Sequence, residues 1–146
     1  MIDAPEDESP PLLQLLPLSG EAGAYRVPET HVVALWDAAE GLDFIAVRID
    51  LSDCTEAYAL LVRVAQALKF PDWFGYNWDA LADCLSDLEW LGDAGGYLLL
   101  FQGSAALHAA APDEFATLIE VIDEVAAAWH DDGVPFWGFV EEPSVR

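Results

Sequence analysis

Hydrophobic positions switch between two periods along the chain, and each switch marks an element. Val32, Leu35, Trp36 and Ala39 recur at three and four between Thr30, a capping residue, and Gly41, which predicts a short helix. Phe44 to Leu51 (FIAVRIDL) is rich in β-branched residues over a strand's length, with Arg48 and Asp50 near its exit, and reads as the first core strand. Tyr58, Leu61, Val62, Ala65 and Leu68 return to the helical period. Ser52 or Asp53 caps this helix of about fifteen residues, and Phe70 and Pro71 end it. Asp72 to Tyr76 is an aromatic loop around Gly75; Asn77 then caps a helix with Trp78, Leu81, Leu85 and Leu88 on its apolar face, stopped by Gly92, Gly95 and Gly96.

Tyr97 to Phe101 is a continuous apolar run between glycines, as suits a strand buried on both faces of a parallel sheet. Ala105 to Ala111 is weakly helical. Pro112 and Asp113 open a long helix to Trp129 with Phe115, Leu118, Ile119, Ile122, Val125 and Trp129 inward, and Gly133 closes it. Val134 to Val140 (VPFWGFV) is the last strand, followed by a polar tail. Under the right-handed crossover rule this order predicts an α/β fold, a three-stranded parallel sheet with packed helices. Residues 1–43 form an N-terminal extension, and 44–146 the domain proper. The extension begins with a flexible leader rich in Asp, Glu and Pro, whose leucines are able to dock on the body, and continues into the short helix. No glycine fingerprint of the GxGxxG or Walker type follows either of the first two strands, so nothing supports a phosphate cradle.

Charge narrows the function classes. The 146 residues are 54% hydrophobic, enough for one core, yet 27 Asp and Glu face five Lys and Arg, a net charge of -22. The five cations are scattered, so no patch can release counterions from a nucleic acid, and basic proteins are the natural partners. Acidic disorder is excluded by the 12% of aromatic residues. Cys54 and Cys84 make no disulfide framework and read as two reduced, buried thiols, which favours a cytoplasmic home. The leader lacks a basic start and is broken by Pro10, Pro11 and Pro17, so it is no export signal. No apolar run spans a membrane.

Asp79, Asp83 and Asp87 recur every four residues and stack on the helix face opposite the leucines. Such a face is ordinarily a solvated one. Here it lacks compensation, since no Lys or Arg stands between Phe70 and Gly103, and a cationic partner would supply it. A metal site drawing on His31, His108 or His130 finds no ligand spacing, and no cofactor is called for. Paired carboxylates of a glycosidase type would sit on a convex helix without a pocket. Cys84 among carboxylates has its thiol pKa raised, against a nucleophile's needs, so no catalytic residue is assigned. Trp73, in a loop between Pro71 and Gly75, is either an exposed interface anchor or folds onto its own core.

The run Phe70-Pro71-Asp72-Trp73-Phe74-Gly75-Tyr76-Asn77-Trp78-Asp79-Ala80-Leu81-Ala82-Asp83-Cys84-Leu85 resembles the signature of the barstar family, intracellular inhibitors of secreted bacterial ribonucleases. The wider resemblance covers Phe44 to Val140. It implies a three-stranded barstar-like domain whose loop at Trp73 to Asn77 and helix from Trp78 to Ser86 plug a ribonuclease active site. Asp83 matches the family's central aspartate, Asp79 a flanking acidic contact, Trp73 an aromatic loop contact, and Gly75 and Asn77 residues that shape the loop. Asp87 lies at the helix end, on the rim, and Glu124 on the long helix falls near a further acidic contact. Two positions depart: Ala82 stands where the family often carries a tryptophan before the central aspartate, and Tyr76 replaces a frequently polar residue. The implied protein is no enzyme. It is monomeric when free and binds a basic ribonuclease or ribonuclease-like toxin one-to-one; the alternative is an acidic binding module or immunity protein for another basic protein.

Overall fold

The structure, a computed structural model, describes residues 12–142; the leader up to Pro11 and the tail from Pro143 lie outside the described residues. In chain order the elements are α1 (Leu12–Leu15), β1 (Ala24–Pro28), α2 (Val32–Gly41), β2 (Phe44–Asp50), α3 (Ala57–Leu68), α4 (Trp78–Leu85), β3 (Gly96–Gln102), α5 (Ala105–Ala110), α6 (Pro112–Asp131) and β4 (Phe136–Glu142). Single 3-10 turns occur at Ser19–Glu21, Glu29–His31 and Glu89–Leu91. Among the described residues no helix is long and apolar enough to cross a membrane.

All strand pairs are parallel, in the order β1-β4-β3-β2. Gly96 to Phe101 of β3 are buried without interruption, and the side chains alternate between two apolar layers. Tyr97, Leu99 and Phe101 meet the layer of α3, α4 and α6, with Leu61, Leu81, Leu85, Leu118 and Ile122. Leu98 and Leu100 meet Leu35 and Ala39 of α2, together with Leu16, Phe44, Trp137 and Phe139. A Cβ on Gly138 of β4 would stand 2.7 Å from Ile122 Cγ2, so the bare glycine allows α6 to lie close on the sheet.

The sheet has four strands, not the three expected. The fourth, β1, pairs with β4 from Ala24↔Gly138 to Pro28↔Glu142. Its sequence, AYRVP, buries only Val27, because an edge strand needs no continuous apolar run and Pro28 at its end forgoes an N–H that no neighbour requires. The side chains still follow the pleat: Tyr25 packs on Trp137 and Phe139, while Arg26 reaches the opposite face and lies over the Phe115 ring. Residues of the expected extension thus supply an edge strand and the helices of one layer. The leader's leucines do dock, since Leu16 is fully buried and the Trp137 Nε1–H donates to its carbonyl at 3.0 Å.

Three local expectations are corrected. Thr30 does not cap α2, because it lies inside the 3-10 turn that precedes the helix. Neither Ser52 nor Asp53 caps α3: Asp53 is left-handed (φ 71), the Cys54 N–H closes a turn onto the Leu51 carbonyl, and the helix starts only at Ala57. Tyr58, expected on the buried face, sits in the first turn and is exposed; the inward set is Leu60, Leu61, Val64, Ala65 and Leu68.

If the N-terminal segment is part of the core, Leu16→Ala will lower stability by about 2–4 kcal/mol, whereas the half-exposed Leu18→Ala will stay within about 0.5 kcal/mol. Urea midpoints of the two variants measure the difference, and equal midpoints would show that the segment contributes no core packing.

Candidate functional site: an acidic helix behind an aromatic loop

The site begins where α3 ends. Lys69 turns the chain through a left-handed residue (φ 57), and the Phe70 N–H closes on the Ala65 carbonyl. The free carbonyl of Leu68 at this terminus accepts the Trp90 Nε1–H at 3.0 Å. Inside the loop Phe74 is buried and stacks edge-on against Phe70, which in turn meets Trp90 at a right angle. This ring cluster leaves Trp73 outside, 65% exposed, which settles its orientation in favour of an outward-facing side chain.

Gly75 does not supply the loop's left-handed residue. That residue is Tyr76, at φ 55, a conformation that costs a non-glycine about 1–2 kcal/mol. Asn77 compensates. Its Oδ1 accepts the Ala80 N–H at 2.8 Å, capping α4, and its Nδ2–H donates to the Gly75 carbonyl at 3.4 Å. One side chain therefore ties the loop to the helix.

Along α4, Leu81, Cys84 and Leu85 are buried and Asp79 and Asp83 are exposed one turn apart. Ala82 is half-buried and packs against the core, so the position before Asp83 presents little side chain to solvent. Asp87 is not on this helix, contrary to the four-residue periodicity. The helix ends at Leu85, Leu88 is left-handed (φ 50) and buried, and the exposed Asp87 turns its Oδ1 to the Glu89 N–H at 3.3 Å. The terminal carbonyl of Leu85 accepts the Trp129 Nε1–H of α6 at 2.8 Å. Glu124 is exposed on α6, the helix against which α4 packs, and so belongs to a different element from the other candidates.

The structure therefore brings together Trp73, Gly75, Asn77, Asp79, Ala82 and Asp83 on one continuous segment. It also places two exposed rings against each other, Tyr76, read from the sequence only as a departure from the family pattern, and Tyr58, read as core, with centroids 5.8 Å apart. A tyrosine in the first turn, the one aromatic residue of α3, was the available signal for Tyr58. The four principal clefts include neither Asp79 nor Asp83 in their walls. Among the described residues no group of three His, Cys, Asp or Glu is arranged to hold a metal ion.

Cys54 and Cys84 are free and fully buried. Burial pushes the Cys84 thiol up, and the Asp83 and Asp87 carboxylates push it further; burial likewise raises Cys54, against the pull of Arg63. Both thiols should resist iodoacetamide in the native protein at pH 8 and react fully in urea, as mass spectrometry will show; rapid native alkylation of Cys84 would mean that it is accessible and ionised. Stability should also decline as pH rises past about 8.5, because the unfolded thiols ionise near that value and the raised folded ones do not, so the unfolded chain loses protons first.

No curated protein matches the chain. Residues 44–141 match the family described as Barstar (barnase inhibitor), a span that runs from the first residue of β2 to within one residue of the end of β4 and contains the whole Trp73 to Asp83 segment. The chain belongs to the barstar family.

Proposed function

We propose that this protein is a stoichiometric inhibitor of a basic ribonuclease or ribonuclease-like toxin, acting by placing α4 and the preceding loop in the enzyme's active site. The observation that carries this reading is the pair of exposed carboxylates, Asp79 and Asp83, on the outward face of a short helix whose ends are both fixed, beside the exposed Trp73. A ribonuclease binds RNA through cationic groups around the scissile phosphate. Carboxylates one helical turn apart offer such groups negative charge, as successive phosphates do. Asp83 is assigned the central contact, Asp79 the flanking one, Trp73 an anchor, and Asp87 and Glu124 the rim.

The arrangement suits tight binding for a physical reason. Ordering a flexible segment on association opposes binding, and here the caps at Asn77 and Trp129 order it beforehand. No bond is made or broken, and no cofactor enters. The complex is one-to-one, and its place is the cytoplasm, where reduced Cys54 and Cys84 are at home. The small residue at Ala82 leaves room for a target different in shape at that point from one that meets a tryptophan.

Inhibition of RNA cleavage by barnase and other small basic ribonucleases tests the proposal directly. Asp83→Ala should weaken inhibition by roughly 30-fold or more, the equivalent of about 2 kcal/mol for a carboxylate buried against arginine, while the urea midpoint of the free protein holds or rises slightly as repulsion from Asp79 is relieved. Asp87→Ala should cost less than about tenfold, since the residue is off the helix and bonded to its own turn. A large fall in the Asp83→Ala midpoint with inhibition intact would remove Asp83 from the site.

Association should also be steered by the charge of -22. Stopped-flow rate constants above roughly 10⁸ M⁻¹s⁻¹ at low ionic strength, falling steeply with added salt, are expected. Rates indifferent to salt would contradict electrostatic capture.

A further inference from the structure

We propose that the Tyr58–Tyr76 ring pair receives an arginine side chain of the basic protein partner, extending the contact surface from the loop onto α3. This rests on the reading of the partner as a basic protein and adds to it a second anchor point with its own chemistry. Six large hydrophobic side chains among the described residues are exposed, and the three aromatics among them, Trp73, Tyr76 and Tyr58, all lie on the aromatic loop or in ring contact with it. Tyr58 is 59% exposed and Tyr76 44%, and their planes tilt by 38°, so neither ring covers the other.

The pair is held from beneath. Tyr76 stacks on buried Phe74 with centroids 4.7 Å apart, Phe74 on Phe70, and Phe70 on Trp90. Tyr76 keeps this place despite a left-handed backbone that non-glycine residues avoid, so its position is imposed by the loop and not by local preference. Beside it opens a cleft of about 330 Å³ walled by Gln66, Lys69, Pro71, Asp72 and Tyr76. The cleft's own charges, Lys69 and Asp72, offset each other, which leaves the ring faces and the surrounding acid surface to select the occupant.

Charge chooses among the groups that stack on tyrosine. A nucleobase would bring phosphates toward a surface of net charge -22, whereas a guanidinium is drawn to it. Between cations, the planar and weakly hydrated guanidinium lies flat on a ring more readily than an ammonium does. The chain uses the same contact twice within itself: Arg26 lies 5.2 Å from the Phe115 centroid and Arg48 5.3 Å from the Trp36 centroid.

The test uses the full chain and defined probes. N-acetyl-arginine amide, N-acetyl-lysine amide and adenosine monophosphate are titrated separately while NMR follows the ring protons of Tyr58 and Tyr76. The arginine derivative should move both rings more than the lysine derivative does, and the nucleotide least. Tyr58→Ala should abolish the response at Tyr76, and Tyr58→Phe should retain it; a Tyr76 response unchanged in Tyr58→Ala, or a larger response to the nucleotide, overturns the proposal. In parallel, inhibition of barnase by Tyr58→Ala should weaken roughly two- to fivefold, with Tyr58→Phe near wild type. If arginine moves the rings while the wild-type protein inhibits no ribonuclease, the ring site stands and the ribonuclease reading falls; if inhibition is intact and arginine leaves the rings unmoved, the ring site alone falls.

Discussion

The burial of β3 on both faces is the constraint from which the rest of the structure follows. A strand that reads GYLLLF has no side to give to water, so each face needs its own apolar layer. Strands joined in parallel need long crossovers, and helices in those crossovers provide the cover. The connections from β2 through α3 and α4 to β3, and from β3 through α5 and α6 to β4, lay one layer. The connection from β1 to β2 carries the chain from one edge of the sheet to the other, and α2 in that connection lays the second. The family match begins at Phe44, yet the face of β3 and β4 bearing Leu98, Leu100, Trp137 and Phe139 is closed by residues before it, Leu16, Val27, Leu35 and Ala39.

With the layers in place, the candidate site is a consequence of how two helices end. Every helix leaves carbonyls unbonded at its C-terminus, and partly buried ones require donors. The ends of α3 and α4 find theirs in indoles from elsewhere: Trp90 donates to Leu68 and Trp129 to Leu85. The segment from Lys69 to Leu85, which carries every loop and helix candidate up to Asp83, is thereby fastened at both ends. Asn77 fixes its middle. Asp79 and Asp83 can therefore face outward together without the helix fraying under their mutual repulsion, which at adjacent turns amounts to only a few tenths of a kcal/mol.

How much of this was legible depended on whether a feature is written in one stretch of chain. The strands at Phe44, Tyr97 and Phe136 and the helices at Ala57, Trp78 and Pro112 were readable because each carries either a continuous apolar run or an apolar face that recurs at its own period. Strand β1 was not, since AYRVP owes its strand state to β4, about 110 residues away, and buries a single valine. The helix limit at Leu85 was not legible either. Asp79, Asp83 and Asp87 keep a perfect four-residue spacing in sequence, and only the bond from Trp129 and the left-handed Leu88 show that the third has left the helix. The same limit applied to Tyr58, whose spacing matched the buried face of α3 while its ring went to Tyr76 across the turn.

The residue that departs most from local expectation stands at the centre of the exposed surface. Tyr76 occupies a backbone conformation suited to glycine, although Gly75 is its neighbour and is not left-handed. A sequence shaped by stability alone would place the glycine in the strained position and bury the ring. Here the strain is held by Asn77 on one side and by the stack of Phe74, Phe70 and Trp90 on the other, and its result is to set an aromatic face beside Tyr58 at the mouth of a cleft. Strain kept at an exposed ring, next to carboxylates that repel one another, is a cost the free protein carries. Both features lie on the one segment whose two ends are bonded to indoles from elsewhere in the fold and whose loop and helix are tied together by Asn77, which is where such a cost can be carried without loosening the core.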